Sequence, residues 1–556
     1  MKKFWLLMIS ILGLSGCSII DNRSSSIEIT GSEVSGVTSD VIVTEDTVSS
    51  SFTLKDSNNN SITPTNNVYK ITGSGTYTAS GKLENGQIYV NSPSNEVELV
   101  LEDVSISNSS VSPIFVYDVS DFTLKVKNET TNYIYDNRTT DYSTTTSDTV
   151  GTSAVFVRNG DLKINGKGTL SVTSVANSGI HGKDNVTVKN TTMLIKAVNN
   201  GIKGNDKVSI EENPNISIIA GNNGIITSNS DLGDSVQHGY IYIYGGSLTI
   251  NSYGDGIDAA YAVVINSSTD SEGTRYTPSL DIYTNKYSSY TLSSVISNPN
   301  NLNAGGPPPG GGGGGFGGGT SAEKADDSAK AIKAVESITI DAGEIFTYTY
   351  DDGLHTNSDT MENGKKGSAN IKISGGSLKM KASDDAIHAD GTLTIGGGTI
   401  YISESHEGIE GNNVIITGGD TTVFANDDGV NASSLINISG GRLDVTVNPN
   451  GDTDGIDSNG TITITGGTII TRGPNSEMAA PLDADGTMKM SGGTLVVCGY
   501  APRKLTATGL TKTSSTNGLS IGNHTVTIGT ITINYSNTYS YKGNTTVYAN
   551  ATATIS

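Results

Sequence analysis

The stretch "DDAIHADGTLTIGGGTIYI", residues 384–402, combines two motifs that recur along the chain and predict its fold. Two carboxylates precede an aliphatic residue, Ile387, and a His follows it. Apolar and polar residues then alternate on both sides of a run of glycines, residues 396–398. Alternation with a period of two is typical of short β-strands, and glycines mark the corners between them. The stretch therefore predicts an acidic turn followed by two short strands.

The acidic motif repeats with a spacing near 22 residues. Asp-Gly-Ile-Asp occurs at 255–258 and again at 454–457, and variants surround both copies. The central aliphatic residue of the motif stands at positions 180, 202, 225, 257, 332, 354, 387, 409, 430, 456 and 482. A unit of this length with three short strands cannot bury its own apolar face, so successive units must stack. The chain is therefore predicted to be all-β, a parallel β-helix over residues 46–500.

The first residues predict export and a lipid anchor. Lys2 and Lys3 precede an apolar segment, residues 4–12, which is too short to span a bilayer. Residues 1–16 are therefore predicted to be a signal peptide. The sequence Leu-Ser-Gly-Cys at 14–17 resembles the bacterial lipobox, which implies a lipidated Cys17 and attachment to a membrane at the cell surface.

Three further segments have distinct compositions. Residues 17–45 are rich in Ser, Thr and acids and predict a flexible tether. The sequence "AGGPPPGGGGGGFGGG" predicts a disordered loop over residues 300–322. Residues 501–556 are expected to form a C-terminal β cap. The second cysteine, Cys498, lies in a strand-like segment and is expected to be an inert thiol.

The charge of the chain limits the classes of partner. The net charge is −22, and loss of Lys2 and Lys3 with the signal peptide brings the mature chain near −24. Such a chain is not expected to bind nucleic acid, which favours a basic surface. We expect a monomer that binds polysaccharide.

Aromatic residues on strand faces are candidates for sugar contact. Trp5, in the predicted signal peptide, is the single Trp of the chain, so Tyr and Phe must supply any aromatic surface. Two alternating groups qualify, and an ordinary role on an exposed strand face is the alternative. The predicted carbohydrate-binding residues are Tyr242, Tyr244, Phe346, Tyr348 and Tyr350.

Stacked coils place the recurring acids in rows about 4.8 Å apart. Carboxylates at that distance repel by roughly 3 kcal/mol at an effective dielectric of about 20, so a row needs a compensating charge. Calcium binds oxygen at about 2.3–2.6 Å, so one ion between two coils spans about 5 Å. The His residues are scattered and no Cys joins them, which argues against zinc. The predicted calcium ligands are Asp255, Asp258, Asp352, Asp385, Glu407, Glu410, Asp428, Asp454, Asp457 and Asp483. Turn chemistry alone, or catalytic carboxylates, would also explain acids at these positions.

Three stretches resemble the bacterial surface proteins known as carbohydrate-binding domain-containing proteins. They are residues 69–110, which begin "YKITGSGTYTASGKLENG", residues 154–172 and residues 201–210, and the Asp-Gly-Ile-Asp repeats follow them. The resemblance implies a right-handed parallel β-helix, bound calcium, and non-catalytic binding of cellulose and acidic polysaccharide such as polygalacturonate. A calcium-dependent polysaccharide lyase with Lys330 or Lys333 as its base is one alternative. A structural surface adhesin is the other.

Overall fold

The computed structural model describes residues 51–138, 150–233, 236–285, 328–362 and 364–556. The predicted signal peptide, Cys17, the tether and the glycine-rich loop at 300–322 lie outside the described residues. Within the described part of the chain, no helix is long and apolar enough to cross a bilayer.

The architecture is all-β and is dominated by one 43-stranded, mostly parallel sheet. Strands pair with strands one repeat away, so that Ile180 pairs with Ile202 and Ile202 with Ile225. The pairings sort the strands into three stacks, and the chain visits stacks 1, 2 and 3 in turn before it returns to stack 1. This pairing is the one expected of a parallel β-helix.

Stack 1 carries the acidic motif. Its strands are Val68–Ile71, Gln87–Asn91, Ile114–Asp118, Ser153–Val157, Ser178–Gly182, Ile202–Gly204, Ile225–Thr227, Ile257–Ala259, Ile332–Ala334, Leu354–Thr356, the first parts of Ile387–Ile395, Ile409–Ile416 and Val430–Ile438, and Ile456–Ser458.

Three long strands, Ile387–Ile395, Ile409–Ile416 and Val430–Ile438, begin in stack 1 and continue into stack 2. Stack 2 contains their second parts, the first parts of Gly75–Leu83 and Glu96–Asn108, and Asp121–Val126, Asp161–Gly166, Asn185–Lys189, Lys207–Glu211, Tyr240–Ile243, Ala262–Ile265, Ser337–Ile340, Asn370–Ile373, Thr461–Ile464, Met488–Met490 and Leu505–Ala507.

Stack 3 begins with the second parts of Gly75–Leu83 and Glu96–Asn108. Its other strands are Thr131–Asp136, Thr169–Ser174, Thr192–Ala197, Asn215–Ala220, Ser247–Ser252, Ser279–Thr284, Glu344–Thr349, Ser377–Ala382, Thr399–Glu404, Asp420–Phe424, Arg442–Thr446, Thr468–Arg472 and Thr494–Gly499.

The remaining strands are antiparallel and lie at the ends and in side hairpins. They are Thr53–Asp56, Leu232–Gly233, Val236–Gln237, Ser268–Thr269, Arg275–Tyr276, Thr511–Ser515, Gly522–Ile528, Ile531–Asn537, Asn544–Ala549 and Ala553–Ile555.

The predicted period and interior are confirmed. The central aliphatic residues of the motif pair in register from Ile180 to Ile456, and they form one continuous buried row. Apolar residues of the alternating segments and of the acidic motif, namely Ile371, Ile373, Leu378, Ile387, Ile409 and Ile456, are all 0% exposed. This row belongs to one continuous hydrophobic core.

The glycine of the acidic motif is required by close packing. A Cβ on Gly408 would lie 2.2 Å from Cγ1 of Val423 and 2.4 Å from the carbonyl oxygen of Gly429. The glycines between strands differ, because Gly398 has a φ of 83°, which favours glycine. The motif glycine therefore allows neighbouring coils to approach, whereas the corner glycine turns the chain.

The C-terminal segment covers the last strand of stack 3. Asn544–Ala549 pairs antiparallel with Thr494–Gly499, which ends the parallel series in that stack. Arg472 is buried beneath it, 2.5 Å from Oδ1 of Asp444, and its Nε donates to Oδ1 of Asn537 at 2.8 Å. Cys498 is also buried, and burial raises the pKa of its thiol, as expected for an inert packed cysteine.

Candidate functional site

The acids of the motif form two rows along stack 1. The first row holds the residue two positions before the central aliphatic residue, and the second row holds the residue directly after it. Pairing in register aligns Asp258, Lys333, His355, His388, Glu410, Asn431 and Asp457 in the second row. The predicted alignment of these positions is confirmed.

Acids of the first row have a structural role through one oxygen. The backbone N–H of Asp385 donates to Oδ1 of Asp352 at 3.0 Å, and that of Asp454 donates to Oδ1 of Asp428 at 2.6 Å. Asn223 accepts a bond from the backbone of Asp255 in the same way, at 3.0 Å. An amide therefore suffices for this bond between coils, and the second oxygen of each acid needs a separate explanation.

At the N-terminal end of the rows, lysines compensate the acids. The Nζ of Lys330 pairs with Asp351 and lies 3.6 Å from Oδ2 of Asp352, and the Nζ of Lys333 lies 3.9 Å from Oδ2 of Asp255. Burial lowers the pKa of Lys330, but Asp352 and Asp351 raise it more, so it stays above its ordinary value. Lys330 is therefore a protonated counterion, and a protonated amine cannot accept a proton as a catalytic base must.

In the middle of the rows, histidines face carboxylates. The rings of His355 and His388 stack with their centroids 4.8 Å apart. The Nδ1 of His355 lies 2.6 Å from Oδ2 of Asp352, and the Nδ1 of His388 lies 2.9 Å from Oδ2 of Asp385 and 2.6 Å from Oε2 of Glu410. Burial lowers the pKa of His388, but Asp385 and Glu410 raise it to about 11. These histidines lie far apart in the sequence yet are neighbours in space.

Toward the C-terminus, the acids of the first row are half-buried and lack lysine partners among the residues that the structure describes. Burial is the largest cause that raises the pKa of Glu407 to about 8, of Asp428 and Asp454 to about 7, and of Asp457 to about 6. Neighbouring carboxylates raise all four further. Among the described residues, Glu407, Asp428 and Asp454 form no ion pair with Lys or Arg. Ionising this segment is therefore costly unless a cation compensates it.

Four clusters of acids and histidines place three ligand atoms within 4.8 Å of one another. The clusters are Asp351, Asp352 and Asp384; Asp384, Asp385 and His406; Asp385, His388 and Glu410; and His406, Glu407 and Asp427. They include four of the predicted ligands, Asp352, Asp385, Glu407 and Glu410.

The other six predicted ligands belong to no such cluster within the described ranges. They are Asp255, Asp258, Asp428, Asp454, Asp457 and Asp483. Sequence reasoning missed Asp351, Asp384, His388, His406 and Asp427 as ligand candidates. The available signal was the doubled acid at 351–352, 384–385 and 427–428, which places a second carboxylate beside the first row.

The predicted aromatic residues lie on two different stacks. Tyr240, Tyr242 and Tyr244 follow stack 2, with ring centroids 5.0 and 5.4 Å apart and nearly parallel planes. Their faces are turned toward one another, so they offer edges and hydroxyl groups more than flat faces. Burial raises the pKa of Tyr242 to about 12, which keeps its hydroxyl a hydrogen-bond donor.

The second aromatic group belongs to stack 3. Phe346, Tyr348 and Tyr350 share one half-buried face. The ring centroid of Phe346 lies 5.6 Å from that of Tyr283, and the Nζ of Lys381 lies 5.1 Å from the ring centroid of Tyr348. The two aromatic groups are therefore separate surfaces.

Comparison with known proteins gives two matches. Residues 65–365, 357–408 and 403–556 match the family described as carbohydrate-binding domain-containing protein. A solved structure of a polysaccharide lyase-like protein from C. thermocellum, a gadolinium derivative, is 27% identical. That similarity covers 40% of this chain and 84% of the other, with a TM-score of 0.35. No curated protein matches this chain.

Proposed function

Because the chain belongs to the carbohydrate-binding domain-containing protein family, we propose that it binds polysaccharide without cleaving it. The proposed scaffold is a right-handed parallel β-helix, which the three parallel stacks support. The proposed ligands are cellulose and an acidic polysaccharide such as polygalacturonate. We further propose that the protein is a lipoprotein attached to the cell surface through Cys17.

Calcium is the proposed link to an acidic polysaccharide. The cluster of Asp351, Asp352 and Asp384 offers only carboxylate oxygens, the ligands that calcium prefers. Lys330 contributes one positive charge there, so three ionised carboxylates leave two negative charges, which one divalent cation neutralises. These residues fit calcium in donor type and in charge.

The cation also addresses the repulsion between protein and ligand. A chain with a net charge of −22 repels a polyuronate, whereas a bound divalent ion reverses the local sign. This acidity beside an all-oxygen cluster is the observation that carries the calcium-assisted part of the proposal. A neutral glucan needs no such ion and would contact the hydroxyl edges of Tyr242 and Tyr244.

The proposal is tested by co-sedimentation of the protein with insoluble cellulose and with a polygalacturonate gel, in calcium or in chelator. We expect retention on both, with calcium needed only for the gel, and no rise in ultraviolet absorbance from unsaturated uronides. Asp384→Asn should weaken calcium-dependent retention, whereas Glu272→Gln, an exposed acid of a side hairpin, should not. A rising absorbance would instead support the lyase, and no retention on either glycan would support the adhesin.

A further inference from the structure

The cluster of Asp385, His388 and Glu410 differs chemically from the all-carboxylate cluster. We propose that Asp385, His388 and Glu410 bind a divalent transition-metal ion of the zinc class, at a site separate from the proposed calcium site. The inference goes beyond the proposed function, because calcium takes oxygen ligands whereas this cluster contains an imidazole nitrogen. Imidazole favours zinc and its neighbours in the transition series.

The three ligand atoms already converge. The Nδ1 of His388 lies 2.9 Å from Oδ2 of Asp385 and 2.6 Å from Oε2 of Glu410. Zinc binds nitrogen and carboxylate oxygen at about 2.0–2.2 Å, so tetrahedral ligands are separated by roughly 3.3 Å. The atoms must open by several tenths of an ångström, and the side chains of His388 and Glu410, which are 22% and 27% exposed, are not locked in the core.

Asp385 can join this site without giving up its structural role. Its Oδ1 accepts the backbone N–H of Glu407 at 3.3 Å, in the same kind of bond between coils that Asp352 and Asp428 make. Its Oδ2 is the atom that faces His388. The two oxygens therefore serve different purposes, and ion binding does not break the hydrogen bond between coils.

The other nitrogen of the imidazole provides independent support. The Nε2 of His388 lies 3.3 Å from Oδ1 of Asp390, a residue outside the three proposed ligands. Metal-binding histidines almost always donate their second ring N–H to a carboxylate or carbonyl, which fixes the tautomer and the ring orientation. Asp390 would keep the proton on Nε2, and the ion would replace the Nδ1 proton that now faces Asp385 and Glu410.

Three protein ligands leave a fourth tetrahedral position open, as in zinc sites that take an external ligand. Because the side chains of Glu410 and His388 are partly exposed, water or an oxygen ligand can reach the site from solvent. The neighbouring His355 also faces a carboxylate, Asp352, but among the described residues it belongs to no group of three converging ligand atoms. This makes His355 a matched control for an imidazole in the same stack.

The test uses the whole 556-residue chain, freed of metal by chelator and titrated with Zn²⁺ calorimetrically in excess Ca²⁺. We expect one tight Zn²⁺ per chain that Ca²⁺ does not displace, and a Co²⁺ complex with the intense visible bands of a four-coordinate site. His388→Gln and Glu410→Gln should each abolish this binding. His355→Gln should leave it intact, and Asp390→Asn should weaken it about 10- to 100-fold.

Two results would overturn the assignment. One is the absence of Zn²⁺ binding in excess Ca²⁺, which would leave the cluster an internal ion pair. The other is binding that survives both His388→Gln and Glu410→Gln in variants with wild-type circular dichroism. Absence of zinc binding would not affect calcium-dependent retention on polygalacturonate, so the two proposals can be tested separately.

Discussion

Replacing Asp428 by Asn should stabilise the metal-free protein at pH 8. The variant keeps the oxygen that accepts the backbone N–H of Asp454 at 2.6 Å, as Asn223 does for Asp255 in an earlier coil. It removes only the charge. Burial, with smaller contributions from Asp427 and Glu407, raises the pKa of Asp428 from 3.8 to about 7, although the N–H of Asp454 partly opposes this.

The magnitude follows from that pKa. Each unit corresponds to about 1.4 kcal/mol, so ionised Asp428 costs the folded state at most about 4 kcal/mol. Solvent screening at a partly exposed site reduces this, and we expect a gain of about 1–2 kcal/mol. The folded protein keeps the proton up to about pH 7, whereas the unfolded chain releases it near pH 4. The cost therefore builds between these values and is absent below pH 4.

The assay is thermal unfolding of wild type and Asp428→Asn in chelator at pH 4 and pH 8. We expect a higher midpoint for the variant at pH 8 and equal midpoints at pH 4. Asp428→Ala is the control, because it also leaves the N–H of Asp454 without its acceptor, which costs about 1–3 kcal/mol. A variant that is less stable than wild type at pH 8, or that gains equally at both pH values, would refute the reasoning.

Four further outcomes are expected. Calcium at about a hundredfold excess over Kd should raise stability by about 2.7 kcal/mol, and an unchanged midpoint of thermal unfolding in chelator would remove calcium from the rows. Ile387→Ala should cost about 2–5 kcal/mol in denaturant titrations, because it leaves a cavity in the continuous buried row; a cost below 1 kcal/mol would contradict this packing. Gly408→Ala should lower the midpoint of thermal unfolding, since its Cβ would lie 2.4 Å from a carbonyl of the next coil, whereas Gly396→Ala, with contacts no closer than 3.6 Å, should be tolerated. Tyr242→Phe keeps the ring stack but removes a hydroxyl, so weaker retention on cellulose with unchanged stability is expected, and full retention would exclude this surface.

The period, the strands and the core could be predicted from the order of residues. A repeat that stacks on itself places equivalent positions in one row, so the spacing near 22 residues was enough to align Ile387 with Ile409 and to bury both. Two-residue alternation similarly separates the inward from the outward residues of a strand, and Ile371 and Ile373 are both buried. These properties depend on backbone periodicity, which is written directly in the order of residues.

Which acids have a compensating charge, and which residue supplies it, became clear only from the contacts between coils. The sequence put Asp352, Asp385 and Asp428 in the same row, yet the first faces Lys330 and His355, the second faces His388, and the third has mainly other acids nearby. Compensation depends on the directions of side chains from neighbouring coils and on their burial. A carboxylate bonds to its partner at a distance of about 3 Å. The alignment of repeats locates residues only to within the spacing of about 4.8 Å between coils.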